Sequence, residues 1–237
     1  MKKIYTKNDL CIYKLDTRRV STFILQKDGK NTLWDTSMNY EMKKIRKAFG
    51  ELGISKLDAV FISHAHTDHA ANAAEISRVY GAKVYVHRNG IERLRCGRCP
   101  VPKGMNISGK LVEYLAQKYK NIYDFSLIDR CDAEELHDEV VKGLLGNGAE
   151  LIYTPGHTAD SVSLVIDREI ALVGDIFVNM FTEFYPPFAD CPELIAESWE
   201  KLVRLGCGLY YPGHGDAATL KRLKRASLEL RFRGDER

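Results

Sequence analysis

The sequence predicts an α/β protein, and three observations carry that reading. Asp58-Ala59-Val60-Phe61-Ile62 is a short apolar run bounded by polar residues, the signature of a buried strand. A polar loop and a run of small residues follow it, then a second strand, Lys83-Val84-Tyr85-Val86. This β-α-β order suits a sheet with helices packed outside. Thirdly, about residues 148–220 repeat the logic of strands followed by a helix, although no sequence repeat is visible.

Leu10-Cys11-Ile12-Tyr13, Ser21-Thr22-Phe23-Ile24-Leu25 and Asn31-Thr32-Leu33-Trp34 are β-prone runs forming a meander, with Lys27-Asp28-Gly29-Lys30 as a hairpin turn. Tyr40 to Leu52 places Met42, Ile45, Ala48, Phe49 and Leu52 among lysines at helical spacing, and Gly53 stops that helix. A second helix is expected over Ala70 to Val79. In the second half, Glu150 to Tyr153, Ser161 to Ile166 and Glu169 to Val173 read as strands, and Asp167-Arg168 as a turn. Pro192 to Leu205 reads as a helix burying Leu194, Ile195, Trp199, Leu202, Val203 and Leu205, and a basic helix follows Ala217.

Composition bounds the function classes. A chain of 237 residues is one large domain or two small ones, and 45% hydrophobic residues supply a sizeable core. A formal charge of +3 implies no particular partner. The basic N-terminus lacks a following apolar run of signal-peptide length. No stretch approaches the roughly 18 apolar residues of a membrane span, so a cytoplasmic location is expected. The six cysteines are irregularly spaced and suit a reduced compartment better than a disulfide framework.

The chemistry sits after the first apolar run, in Ser63-His64-Ala65-His66-Thr67-Asp68-His69. Three imidazoles and a carboxylate at a strand's C-terminal end are placed where α/β proteins keep their sites. Neutral imidazole and carboxylate are ligands of Zn²⁺, Mn²⁺ or Fe, and packed this closely they call for a cation. The alternative is a polar loop whose histidines hydrogen-bond one another.

The H-x-H-x-D-H pattern resembles the signature of the metallo-β-lactamase fold superfamily, and the rest of that family's pattern follows in order. Tyr153-Thr154-Pro155-Gly156-His157-Thr158, Ala171-Leu172-Val173-Gly174-Asp175 and Tyr210-Tyr211-Pro212-Gly213-His214-Gly215 each end a strand in a ligand residue. The resemblance covers about residues 10–220 and implies a single domain over 1–237, a four-layer αββα sandwich with its metals at one rim. It assigns His64, His66 and His157 to one metal, Asp68, His69 and His214 to a second, and Asp175 to both. Asp35 matches the aspartate that supports the metal loop from behind the ligands; on the residues alone it is equally a turn or helix-cap residue. The family often has glycine where this chain has Ser37. His87 and His137 match no motif position.

The resemblance implies two divalent ions, zinc by default with manganese or iron allowed, and a metal-dependent hydrolase. In that chemistry a metal-bridging hydroxide attacks an ester, thioester or lactone of the kind glyoxalase II and lactonases take, and Asp68 orients the water or returns a proton. The alternative is a mononuclear iron oxygenase of the persulfide dioxygenase kind, or another redox member. The nuclease branches carry further domains or arms, so a small molecule rather than nucleic acid is the expected partner.

Three stretches remain. Residues 88–147 read as an insertion or lid whose first half is basic, with Arg88, Arg93, Arg95, Arg98, Lys103, Lys110, Lys118 and Lys120 met by Glu92 and Glu113. Either it walls the site and favours an anionic substrate, or it is a solvated surface. Leu111, Leu115 and Tyr119 share one face of a helix there. Cys96-Gly97-Arg98-Cys99 is half a zinc site, a redox pair or a plain loop. The loop from Phe177 to Phe188 is aromatic and proline-stiffened, and it either packs on its own domain or lines a pocket with Asn179 and Tyr185 near substrate.

Overall fold

A computed structural model describes residues 1–15, 17–121, 124, 126–180 and 184–235. Among them, two sheets pack face to face. The first contains β1 (Lys2–Lys7), β2 (Leu10–Lys14), β3 (Phe23–Lys27), β4 (Lys30–Trp34), β5 (Ala59–Ile62), β6 (Lys83–Val86) and β7 (Glu134–Glu135), side by side in chain order. It is antiparallel from β1 to β4 and parallel from β4 to β7. The second contains β8 (Ala149–Tyr153), β9 (Val162–Ile166), β10 (Ile170–Gly174), β11 (Leu209–Pro212) and β12 (Ala218–Thr219), ordered β12-β11-β10-β9-β8. Only β10 and β11 are parallel neighbours there.

Helices cover the outer faces, except that α6 turns its apolar side into the space between the sheets. The first half carries α1 (Met42–Glu51), α2 (Thr67–Ala70), α3 (Ala73–Tyr80), α4 (Ile91–Cys96), α5 (Ile107–Lys118) and α6 (Asp138–Leu145), and the second α7 (Ile195–Leu205) and α8 (Leu220–Asp235). The layering follows from the two-residue period of a strand. In β5, Val60 and Ile62 turn outward onto Ile45 and Phe49 of α1 and Ile76 of α3, while Ala59 and Phe61 turn inward to the second sheet. In β10, Ile170 and Leu172 face inward and Ala171 and Val173 face Trp199 and Leu202 of α7. Burying a side chain such as Phe61 or Leu172 stabilises the fold by about 1.5–3 kcal/mol. The result is the α/β, four-layer αββα sandwich that the sequence predicts.

The structure departs from expectation in three places. β1 precedes the predicted meander; it is polar and exposed except at Ile4 and Tyr5, so periodicity does not reveal it. The helix expected over 70–79 is split into α2 and α3. Asn72 lies between them, and its amide Nδ2 donates to the carbonyls of Thr36, Ser37 and Met38. The segment 88–147 is only in part an insertion. Leu94, Cys99, Cys131 and Ala133 bury in the outer core, β7 extends the sheet, and α6 sends Val141 and Leu145 between the sheets.

Within that segment α5 lies against the loop before α7, where a Cβ on Gly109 would come within 2.1 Å of the Pro187 carbonyl oxygen. Its opposite face presents Ile107, Leu111, Tyr114 and Leu115 to solvent, together with Tyr119 just beyond the helix. Among the described residues, no helix is long and apolar enough to cross a membrane.

Candidate metal centre

Five strand ends meet at one rim of the sandwich. β4 and β5 run parallel, as do β10 and β11, so their C-terminal ends deliver Asp35, the 63–69 loop, Asp175 and the 212–215 turn to the same edge. The β8–β9 turn adds His157. Backbone hydrogen bonds join the two halves here, Val162 N–H to the Ser63 carbonyl at 2.9 Å and Ser21 N–H to the Gly213 carbonyl at 2.6 Å.

The imidazoles are aimed by groups behind them. Asp35 is buried with φ at 57°, and its carboxylate accepts the Ser63 N–H and Oγ–H, both at 2.8 Å. Its Oδ2 also lies 2.9 Å from His69 Nδ1. Ser63 Oγ stands 3.0 Å from His64 Nδ1. The carbonyls of Phe188 and Arg19 lie 2.9 Å from Nδ1 of His157 and of His214. Each partner accepts an Nδ1–H, which turns the Nε2 of all four rings into the site as the atom a cation would meet. Ser37 adopts φ 54°, the left-handed conformation glycine favours, so the turn keeps its shape without one.

Two groups of ligand atoms result, His64 with His66 and His157, and Asp68 with His69, Asp175 and His214. In the first, His66 Nδ1 lies 3.0 Å from both His64 Nε2 and His157 Nε2. One ring nitrogen offers one hydrogen-bonding site, so it cannot serve both neighbours, whereas a cation among the three satisfies all. In the second, His69 Nε2 and Asp175 Oδ1 are buried without a hydrogen-bond partner among the described residues. Asp175 Oδ2 stands between the groups, 3.2 Å from His214 Nε2, 3.4 Å from His69 Nε2, 3.7 Å from His157 Nε2 and 3.9 Å from His64 Nε2. Imidazole and carboxylate without thiolate suit hard to borderline divalent ions. Gly213 completes the cradle: a Cβ there would lie 2.1 Å from Asp175 Oδ1 and 2.7 Å from His69 Cε1.

Charge divides the groups. Burial holds His64 and His66 well below the ordinary imidazole range, helped by the neighbouring rings, and lowers His157 as well. In His69 and His214 burial also disfavours the charge, but the surrounding carboxylates outweigh it. His69 is raised well above its usual value, and His214 is pushed up to about 10, chiefly by Asp175. Asp68 and Asp175 lie below the usual carboxylate range because the pull of His69 and His214 exceeds the cost of burial. The second group is also the accessible one, with the His214 and Asp68 side chains 19% and 33% exposed.

A model of the metallo-beta-lactamase superfamily matches residues 15–214. The chain belongs to that superfamily. It is 26% identical over 172 residues to the metallo-beta-lactamase fold-containing protein ST1585 of Sulfurisphaera tokodaii, a match covering 71% of this chain and 64% of that relative. The chain thus spans a little under two thirds of that relative's length. The crystal structure of ST1585 superposes with a TM-score of 0.64 at 18% identity, over 92% of this chain and 85% of the other. A Cronobacter sakazakii metallo-beta-lactamase with a HARLDQ motif gives 0.68 at 18% identity, over 100% and 96%. A chemotaxis sensor described as a peroxy diiron species gives 0.66 at 15% identity, over 96% and 93%. At these identities the structural likeness shows the superfamily's fold alone.

Other candidate residues sit elsewhere or take different parts. His87 stacks on Tyr153 with ring centroids 4.6 Å apart, and the exposed His137 pairs with Glu139. The half-buried Asn179 donates its amide to the carbonyls of Asp216 and Ala217, and its N–H to the His214 carbonyl, pinning the His214 loop. The half-buried Tyr185 ring packs on Trp199, with centroids 6.1 Å apart, against the edge of the outer core. Phe181, Thr182 and Glu183 of the same loop lie outside the described residues. Cys96, Cys99 and Cys131 are free thiols and form no metal-ligating group among the described residues. Burial pushes the Cys99 thiol up to about 12, which makes it inert. Arg93 and Arg95 turn to protein partners, Arg93 to Asp160 and Asp190, Arg95 to the Ala133 carbonyl. Sequence reasoning missed Ser63, Asn72 and Asp160, polar residues whose types carry no chemical signal until the fold shows what they hold.

Proposed function

We propose that this protein is a dinuclear metal-dependent hydrolase acting on an ester, thioester or lactone. The observation that carries the reading is Asp175 Oδ2 lying between two otherwise complete ligand groups. His64, His66 and His157 would hold one divalent ion, zinc by default, and Asp68, His69 and His214 the other. Such ions, when bound, supply Lewis acidity and an acidified water near neutral pH. The protein's own groups do the rest. Asp68 Oδ2, 3.1 Å from His214 Nε2 and partly open to solvent, accepts a proton from the attacking water and returns it to the leaving group. Ser63, Asp35 and the carbonyls of Phe188 and Arg19 keep the rings from turning as charge moves.

Because Arg93 and Arg95 turn to protein partners, they give no reason to restrict the substrate to anions. The fold shared with a structure described as a peroxy diiron species supports a second reading, an iron-dependent redox enzyme. Metal analysis of purified protein, followed by assay against esters, thioesters, lactones and phosphodiesters, tests both. Two zinc or manganese ions per chain with turnover of a carboxylic ester, thioester or lactone is expected. Iron with oxygen consumption and no hydrolysis would replace this reading by the second.

A further inference from the structure

Arg93 lies outside both ligand groups, yet it contacts the supports of only one of them. Its guanidinium reaches Asp160 Oδ1 through Nη1 at 3.6 Å and Asp190 Oδ2 through Nη2 at 3.4 Å. Asp160 is wholly buried, and its other oxygen accepts the Ala65 N–H at 2.7 Å. Ala65 separates His64 from His66. Asp190 donates its own N–H to the His157 carbonyl at 2.9 Å, two residues after Phe188 accepts from the His157 ring. One side chain on α4 therefore joins, through two carboxylates, the loop carrying His64 and His66 to the loop carrying His157. Gly90, three residues earlier, makes room: a Cβ there would fall 2.5 Å from Asp160 Oδ2. Among the described residues, neither carboxylate that Arg93 reaches bonds directly to Asp68, His69 or His214.

We propose that Arg93 and Asp160 are positioning residues that preorganise the three-histidine site alone, in addition to the Asp35–Ser63 support that both sites share. This rests on reading His64, His66 and His157 as ligands of one ion. The buried carboxylate of Asp160 holds the 64–66 backbone, and the arginine fixes that carboxylate against the His157 loop. A planar guanidinium spans two carboxylates where a lysine reaches one. The sequence hinted at a basic wall for substrate; the structure gives this arginine to the metal loops instead.

The test loads the intact protein with Zn²⁺, challenges it with a chelator, and assigns the retained ion by anomalous scattering. In Arg93→Met the three-histidine position is expected to release its ion roughly 10- to 100-fold more readily, the range found for groups behind metal ligands. The Asp68/His69/His214 position should release at the unaltered rate. Arg93→Lys should recover part of the retention. Asp190→Asn, altering a partly exposed arm, should show the same selectivity more weakly and serves if Arg93→Met does not fold. Equal release from both positions, or unchanged release with only a lower melting temperature, would overturn the proposal. An unaltered protein that binds no ion at His64, His66 and His157 would instead overturn the ligand reading beneath it.

Discussion

Asp35 Oδ2 lies 2.9 Å from His69 Nδ1, and the same carboxylate takes both hydrogen-bonding groups of Ser63. One buried side chain thus fixes the ring that opens the second ligand group and the turn that launches the first.

Asp35→Ala is therefore expected to weaken metal retention at the Asp68/His69/His214 position by about 10- to 100-fold. It also leaves the buried Ser63 N–H unpaired, at a stability cost of about 1–3 kcal/mol. Asp35→Asn keeps one oxygen to accept the Ser63 N–H and should be milder on stability than on metal binding. Metal dialysis and thermal unfolding of both variants check this; equal stability losses in the two would argue against it.

Protonation separates the sites. In metal-free protein at neutral pH, His69 and His214 carry a second ring proton while His64, His66 and His157 do not. Metal entering the second group displaces those protons, so its apparent affinity should climb with pH toward about 10, the value for His214. The first group should gain little above its histidines' ordinary 6.5. Titration calorimetry in buffers of different ionisation heats reads the proton release directly, and equal release from the two sites would contradict the assignment.

The same shifts set the stability of the metal-free fold. His214 is raised on folding, so its contribution is complete below about 6.5 and is lost as pH rises through about 10. His64 and His66 are lowered, so they add a penalty once pH falls below 6.5. A melting temperature that keeps rising from 6.5 into acid would be the wrong sign.

His157→Ala should empty the three-histidine position first, and His214→Ala the Asp68/His69 position, while Asp175→Ala should weaken both. Activity is expected to fall steeply in all three. Anomalous scattering after metal titration distinguishes them; loss of the same ion from His157→Ala and His214→Ala would refute the division of ligands.

Gly213→Ala tests the cradle. The added methyl would sit 2.1 Å from Asp175 Oδ1 and 2.7 Å from His69 Cε1, both buried and tethered. Displacing them should abolish binding at the second position with the rest of the fold intact. Full metal content in this variant would show that the rim yields more than its packing implies.

The sequence shows the candidate ligands clearly because metal chemistry restricts residue type: His64, His66, Asp68, His69, His157, Asp175 and His214 all converge on the rim. It shows the sandwich clearly because β5 and β10 are apolar on both faces and α1 and α7 on one. What it hides is held by groups whose type is unrestricted. β1 is polar and pairs by backbone, Asn72 looks like any helix asparagine, and α6 fills the space between the sheets from within a stretch that reads as an insertion. Asn179 and Arg93 carry suggestive chemistry, yet their polar atoms turn to the backbone and to carboxylates behind the site.

The division of ligands between the two sheets also dictates an order of events during synthesis. When the ribosome has made the first sheet, the chain displays two imidazoles of one site and a carboxylate and an imidazole of the other. His157, Asp175 and His214 do not yet exist. Neither half-set is a competent chelate, so on the proposed reading ion capture waits until the second sheet docks. Which metal the protein acquires is then decided by what is available on its release rather than during elongation, and a chain truncated before β11 cannot be rescued by added metal.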